Sequence, residues 1–224
     1  MTQHLLIDAD DTLWENNIYF ERTIASFIAF LAHSTLSPAE VREVLNEVER
    51  AGGYGTASFA RNLEATYRRL AEREARQEDI AYVHELAHAI RQHPIELLEG
   101  VRETLDYLAP RHDLILVTKG DMDEQWLKIE ASGLEHFFQR ALILAEKDAA
   151  AYRQIRDELA LDADQTWMIG NSPRSDINPA LAAGLNAVFI PHPHTWSLEH
   201  EEVVPVEGRS LLTLERFTDL RQHF

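Results

Sequence analysis

Five short apolar runs constrain the fold more than any other feature of the chain: LLID (5–8), LILVT (114–118), ALIL (141–144), WMIG (167–170) and AVFI (187–190). They are nearly continuous in apolar character rather than alternating, which suits strands buried on both faces. The last four alternate with helical stretches at 100–109, 122–132, 148–160 and 178–184. Strands separated by single helices predict βαβ units in a parallel sheet covered on both sides. The expected core is an α/β, doubly wound parallel sheet.

Between the first and second runs, roughly a hundred residues carry no strand signal. Ile18, Ile24, Phe27, Ile28 and Leu31 share one helical face. A second helix starts at Ser37-Pro38-Ala39-Glu40, with Ser37 as N-cap, Pro38 at the first position and Glu40 closing a capping box. AGGYG (51–55) breaks the pattern before a third helix carrying Phe59, Leu63, Tyr67 and Leu70. A fourth helix runs over about 79–92 and stops before Pro94. The expected division is a core of 1–14 and 96–224, with a helical bundle, 15–95, inserted after the first strand and capping the end of the sheet.

Composition excludes several functions. With 45% hydrophobic residues in 224, the chain has enough apolar mass to bury a core. No cysteine is present, so disulfides, thiolate metal sites and a cysteine nucleophile are ruled out. A formal charge of -17 argues against nucleic-acid and anionic-membrane partners. The opening residues lack the basic and apolar regions of a leader, and no apolar run of ~18 residues occurs, so a soluble, cytoplasmic protein is expected. The oligomeric state leaves no mark in the sequence.

The chemistry is concentrated at strand ends, where open parallel sheets place their sites. The first strand runs into Asp8-Ala9-Asp10-Asp11-Thr12, three carboxylates in four residues. The second ends at Thr118-Lys119-Gly120-Asp121, the third is followed by Glu146-Lys147-Asp148, and the fourth by Gly170-Asn171-Ser172 with Asp176 beyond. In this order, DADDT, Thr118, Lys147 and GNSPRSD resemble the four motifs of the haloacid dehalogenase-like hydrolase superfamily, across nearly the whole core. The insertion falls where that family carries its helical (C1-type) cap.

The resemblance implies a Mg²⁺-dependent phosphatase acting on a small phosphorylated metabolite, and phosphoryl-transfer chemistry assigns the roles. Asp8 is the expected nucleophile, forming an aspartyl-phosphate. Asp10 is the expected acid and base. Thr118, with Lys119 beside it, and Lys147 would hold the phosphoryl oxygens. A lysine just before a helix is poorly placed against the helix dipole, which favours an anion-binding role for Lys147. Asp8, Asp10, Asn171 and Asp176 would hold the metal; the family uses the backbone carbonyl of Asp10 and gives Thr12 a structural role in the turn. Asp11 is expected to be a turn residue facing away. The fourth motif departs from the family by having Asn171 where Asp is usual, leaving the metal site one charge poorer.

Other residues read more plainly. Ser172 and Arg174 build a loop, and Ser175 is expected to cap the next helix. The histidines of PHPHTWSLEH (191–200) lack the spacing of a helical metal pair, so that stretch reads as a surface or interface loop. Trp14, Tyr19 and Phe20 line the substrate entrance or pack the cap, with packing favoured for Phe20. Caps of this family commonly dip a glycine-rich loop over the site, which makes Tyr54 a specificity candidate. Three other activities share this fold: a dehalogenase, which needs no acid for a departing halide; a phosphomutase, with the same motifs; and a non-catalytic binding protein.

Overall fold

The run after the first three residues becomes β1 (His4–Ile7), with Leu5, Leu6 and Ile7 fully buried. The computed structural model describes residues 2–224. After β1 the chain forms four helices: α1 (Asn17–Leu31), α2 (Pro38–Ala51), α3 (Thr56–Leu70) and α4 (Gln77–His88). It then continues through α5 (Val101–Leu108), β2 (Asp113–Lys119), α6 (Met122–Ser132), β3 (Arg140–Leu144) and α7 (Ala149–Glu158). The remaining elements are β4 (Thr166–Gly170), α8 (Asn178–Ala182), β5 (Asn186–Phe189) and β6 (Leu211–Thr213).

All six strands are parallel, in the order β3-β2-β1-β4-β5-β6. This is the doubly wound arrangement, whose strand order reverses beside β1 and opens a crevice at the carboxyl ends there. Side-chain alternation divides the core between the two faces. Leu5, Ile7, Leu114, Leu116 and Ile169 pack with Leu105 and Leu108 of α5 on one face. Leu6, Ile115, Val117 and Met168 pack with Tyr152 and Ile155 of α7 and Ala180 of α8 on the other.

Two compact units result: the chain up to Glu15 with Ile95–Phe224, and Asn16–Pro94. Glu15 and Ile95 stay with the sheet unit, where the Glu15 N–H donates to Glu96 O at 2.9 Å. The helical unit is closed by its own core, including Ile24, Phe27, Leu45, Phe59, Leu63, Tyr67 and Val83. Tyr19 belongs to this core, stacked on His93 at 4.4 Å, and Phe20 meets Phe59 edge-on at 5.0 Å. Among the described residues, no helix is long and apolar enough to cross a membrane.

Two elements differ from the sequence reading. The fourth helix ends at His88 and continues as a tighter turn over Ala89–Gln92 before Pro94. A sixth strand, β6, adds to the sheet edge beside β5; with three residues it is too short to stand out by pattern.

The Ser37 cap supplies a direct test of local stability. Ser37 Oγ accepts from the Glu40 N–H at 3.3 Å, and Glu40 Oε2 accepts from the Ser37 N–H at 2.8 Å. Ser37→Ala should lower the unfolding free energy of the helical unit by about 1 kcal/mol, read from its denaturation midpoint. An unchanged midpoint would show that water satisfies the end of α2 equally well.

Candidate active site

Three strand ends meet at one buried ammonium. Asp8 directly follows β1, where its N–H donates to Ile169 O at 2.9 Å. Lys147 follows β3, one residue before Asp148, whose carboxylate caps α7. Asp176 lies in a wide turn after β4, where the Ile177 N–H reaches back five residues to Ser172 O at 3.1 Å. Lys147 Nζ donates to Asp8 Oδ1 at 2.5 Å and to Asp176 Oδ1 at 2.8 Å. Thr12 Oγ1 donates to Asp8 Oδ2 at 2.8 Å, and Asn171 Oδ1 lies 3.4 Å from the same hydroxyl. The Asn171 amide is fixed from its other end, with Nδ2 donating to Thr195 Oγ1 at 2.8 Å.

The charges here are unequal. Burial pushes the Asp8 carboxyl up and the neighbouring Asp176 charge pushes it further, to about 7, although Lys147 and Thr12 pull it down. Burial works against the Lys147 ammonium, yet Asp176 and Asp8 outweigh it and raise its pKa. Two carboxylates thus share one cation. Oxygen donors from Asp8, Asp176 and Asn171, with charge still to be offset, suit a hard divalent ion such as Mg²⁺.

Asp10 occupies the opposite environment. Trp14 Nε1 donates to its Oδ1 at 2.7 Å, Gln125 Nε2 to its Oδ2 at 2.9 Å, and Lys128 Nζ to both, at 3.1 and 2.8 Å. Burial favours the protonated form, but the Lys128 charge and these bonds win and hold the carboxyl below its usual range. Gln125 Oε1 accepts from Thr118 Oγ1 at 3.3 Å, so one amide joins the second strand end to Asp10.

Several expectations need correction. Trp14 does not line an entrance: it is fully buried in the sheet core and supports Asp10. Lys119 is not a bare phosphate-binding cation; its Nζ donates to Glu199 Oε1 and Ser175 Oγ, both at 2.7 Å. Ser172, rather than Ser175, caps the turn, accepting the Ser175 N–H at 2.9 Å. Both serine hydroxyls donate to Glu199 Oε2. The 191–200 stretch is therefore no simple surface loop: Glu199 is buried, His192 nearly so, and Thr195 holds Asn171. Asp11 is a turn residue with φ 60°, yet it is buried. Tyr54 lies half-buried between α2 and α3 in the helical unit.

Gln125, Lys128, Glu199 and His192 went unassigned in the sequence. One signal marks Lys128. The chain contains only three lysines, 119, 128 and 147, among 21 basic residues, and each is paired with a buried or partly buried carboxylate of this site.

Gly170 keeps the cluster together by what it lacks. A Cβ there would fall 2.2 Å from Asp176 Oδ2 and 2.4 Å from its Cγ. Gly170→Ala should therefore push Asp176 off Lys147 and destabilise the sheet unit by about 1–3 kcal/mol. Equilibrium denaturation measures this, and an unaltered stability would mean that the turn carrying Asp176 relaxes freely.

Comparison with known proteins follows this geometry. A family model described as haloacid dehalogenase-like hydrolase matches residues 2–184. A search of curated proteins found no match. Among solved structures, a haloacid dehalogenase-like family hydrolase from Xanthomonas campestris is 31% identical, with a TM-score of 0.86 over 99% of this chain and 94% of that one. The HAD-hydrolase YfnB from Bacillus subtilis, bound to magnesium, is 18% identical, with a TM-score of 0.68 over 99% and 98%. A 2-haloacid dehalogenase from Pseudomonas syringae pv. Tomato DC3000 is 19% identical, with a TM-score of 0.62 over 99% and 97%. The extent of the family match and the identity to the Xanthomonas protein place the chain in the haloacid dehalogenase-like hydrolase family.

Proposed function

We propose that this hydrolase is a Mg²⁺-dependent phosphatase of small phosphate monoesters. The observation carrying this reading is the support built around Asp10, two residues beyond the nucleophile: three side chains fix both its oxygens. Displacing a halide from carbon calls for no such group, because halide leaves without a proton. An alkoxide leaving phosphorus does need one.

In this reading Asp8 attacks phosphorus, the ester P–O bond breaks, and Asp10 gives its proton to the departing alcohol. Asp10 then takes a proton from the water that attacks the aspartyl-phosphate, which releases phosphate and restores Asp8. Thr118 and Lys147 hold phosphoryl oxygens. A bound Mg²⁺, held by Asp8, Asp176 and Asn171, would supply positive charge that keeps Asp8 ionised and offsets the charge of the phosphate. Substrate choice is assigned to the inserted unit, with Tyr54 as its specificity residue. The YfnB relative, with its magnesium, agrees with this reading; the Pseudomonas relative makes dehalogenation the rival.

One experiment separates the two. Phosphate release from a panel of metabolite monoesters, with and without Mg²⁺, is compared with halide release from 2-haloacids. Mg²⁺-dependent phosphate release that falls by several orders of magnitude in Asp8→Asn is expected. Halide release without phosphate release would overturn the proposal.

The second test concerns Lys128. Asp10 donates only while protonated, and its depressed pKa confines that form to lower pH, although an approaching phosphate raises it. Lys128→Met removes the principal depressing charge, so the alkaline limb of kcat for alkyl phosphates should move to higher pH. Aryl phosphates, whose leaving groups need little protonation, should show a smaller shift. A profile unmoved with both substrates would show that Lys128 does not set the protonation of Asp10.

A further inference from the structure

Gln125 holds two members of the site at once. Its Nε2 donates to Asp10 Oδ2 at 2.9 Å, and its Oε1 accepts from Thr118 Oγ1 at 3.3 Å. Gln125 and Thr118 are both buried. The turn from β2 into α6 fixes the amide there. Asp121 caps α6, and the Gln125 N–H donates back to Asp121 O at 2.9 Å. Gly120 leaves room for the side chain, since a Cβ there would stand 3.2 Å from Gln125 Nε2.

The two ends of this amide cannot be exchanged. Asp10 also receives Lys128 Nζ and Trp14 Nε1, so three donors converge on a carboxylate that only accepts. Nε2 must therefore face Asp10, which leaves Oε1 facing Thr118. An amide oxygen only accepts, so the Thr118 hydroxyl must give it its one proton. The hydroxyl that is to grip a phosphoryl oxygen is thus already engaged, by a neighbour that Asp10 itself holds in place.

We propose that Gln125 is a positioning residue that competes with the phosphoryl group for the Thr118 proton and so limits how tightly phosphate is held. The proposal rests on the phosphatase reading. Between turnovers the Gln125 oxygen keeps a buried hydroxyl satisfied. When a phosphoryl oxygen arrives, the Thr118 proton turns to it and the bond to Oε1 is given up. Exchanging one hydrogen bond for another makes the net gain in affinity small, which speeds release of the phosphate product. The same amide directs Oδ2 of Asp10. Its two bonds therefore act on different parts of the reaction: phosphate affinity through Thr118, and the leaving group through Asp10.

Inorganic phosphate is measured against the full chain in saturating Mg²⁺, by competitive inhibition and by calorimetry. Gln125→Met, unbranched and of similar length, should bind phosphate about fivefold more tightly, because the Thr118 proton is then released to it. The kcat for alkyl phosphates should fall in the same variant, because Asp10 loses a donor. Tighter phosphate with slower turnover is a split that mere loosening of the fold does not produce. In a Thr118→Val background the same substitution should leave phosphate affinity unchanged. Gln125→Asn, a methylene too short to span both partners, should also tighten phosphate, and it decides the matter if Gln125→Met fails to fold. Phosphate affinity that stays level or falls in the Gln125 variants, or a gain that survives in the Thr118→Val background, would overturn the proposal and leave the phosphatase reading standing. A wild type that neither hydrolyses monoesters nor binds phosphate would remove that reading and this proposal with it.

Discussion

Lys147 Nζ, between Asp8 and Asp176, is the contact on which the carboxyl end of the sheet depends. Its three members come from the ends of β1, β3 and β4, and no local segment could bring them together. The parallel order β3-β2-β1-β4 sets those ends side by side. Removing charges from water is expensive, and a buried group of this kind persists only when each charge is paired and hydrogen-bonded. Here the Thr12 hydroxyl takes the second Asp8 oxygen, and the Ser172 N–H takes the second Asp176 oxygen at 3.0 Å. The wide turn at Pro173–Ile177 and the bare Cα of Gly170 follow from the need to bring Asp176 this close to the backbone.

The two carboxyls at the end of β1 are pushed in opposite directions. Asp8 is raised by burial and by Asp176, while Asp10 is held down by Lys128 against its own burial. Enzymes divide acid and base roles by separating pKa values in this way. In the proposed phosphoryl transfer both shifts run against the assigned roles, since Asp8 attacks as a carboxylate and Asp10 donates as a carboxylic acid. Bound partners would oppose both shifts. A dication would cancel the repulsion that raises Asp8, and the phosphate's own negative charge would oppose Lys128 at Asp10.

The parts of the fold legible in the sequence are those in which neighbouring residues carry the signal. Strands β1, β2, β4 and β5 appear as apolar runs because most of their residues are buried, β3 keeps its run although it is the half-buried edge strand, and the Ser37-Pro38-Glu40 cap is local by nature. The strand-end positions Asp8, Thr118, Lys147 and Asp176 were legible because βαβ topology sends every carboxyl end to one edge. What stayed hidden depends on contacts between distant segments. Gln125 and Lys128 sit on α6 and look like ordinary polar helix residues until the fold turns them onto Asp10. Trp14 looked like a rim aromatic, because its sequence neighbours say nothing about the core it fills. The 191–200 stretch, rich in proline and histidine, has the composition of a surface loop, yet its polar groups bond to Asn171, Ser172 and Lys119.

The distribution of basic residues draws these observations together. Away from the site every basic side chain other than histidine is arginine, and the only lysines are 119, 128 and 147. The difference is physical. Guanidinium is a flat fork that needs room and a planar partner, whereas ammonium is compact, with donors pointing in several directions. Lys147 spans two carboxylates on different strands, Lys128 touches both oxygens of one, and Lys119 joins a carboxylate to a hydroxyl. Each place requires a point charge at the end of a thin stem. An acidic chain of charge -17 keeps its carboxylates tolerable at this crowded end by reserving its smallest strong cation for it. Sparse use of a residue type, as much as any motif, marks where the chemistry lies.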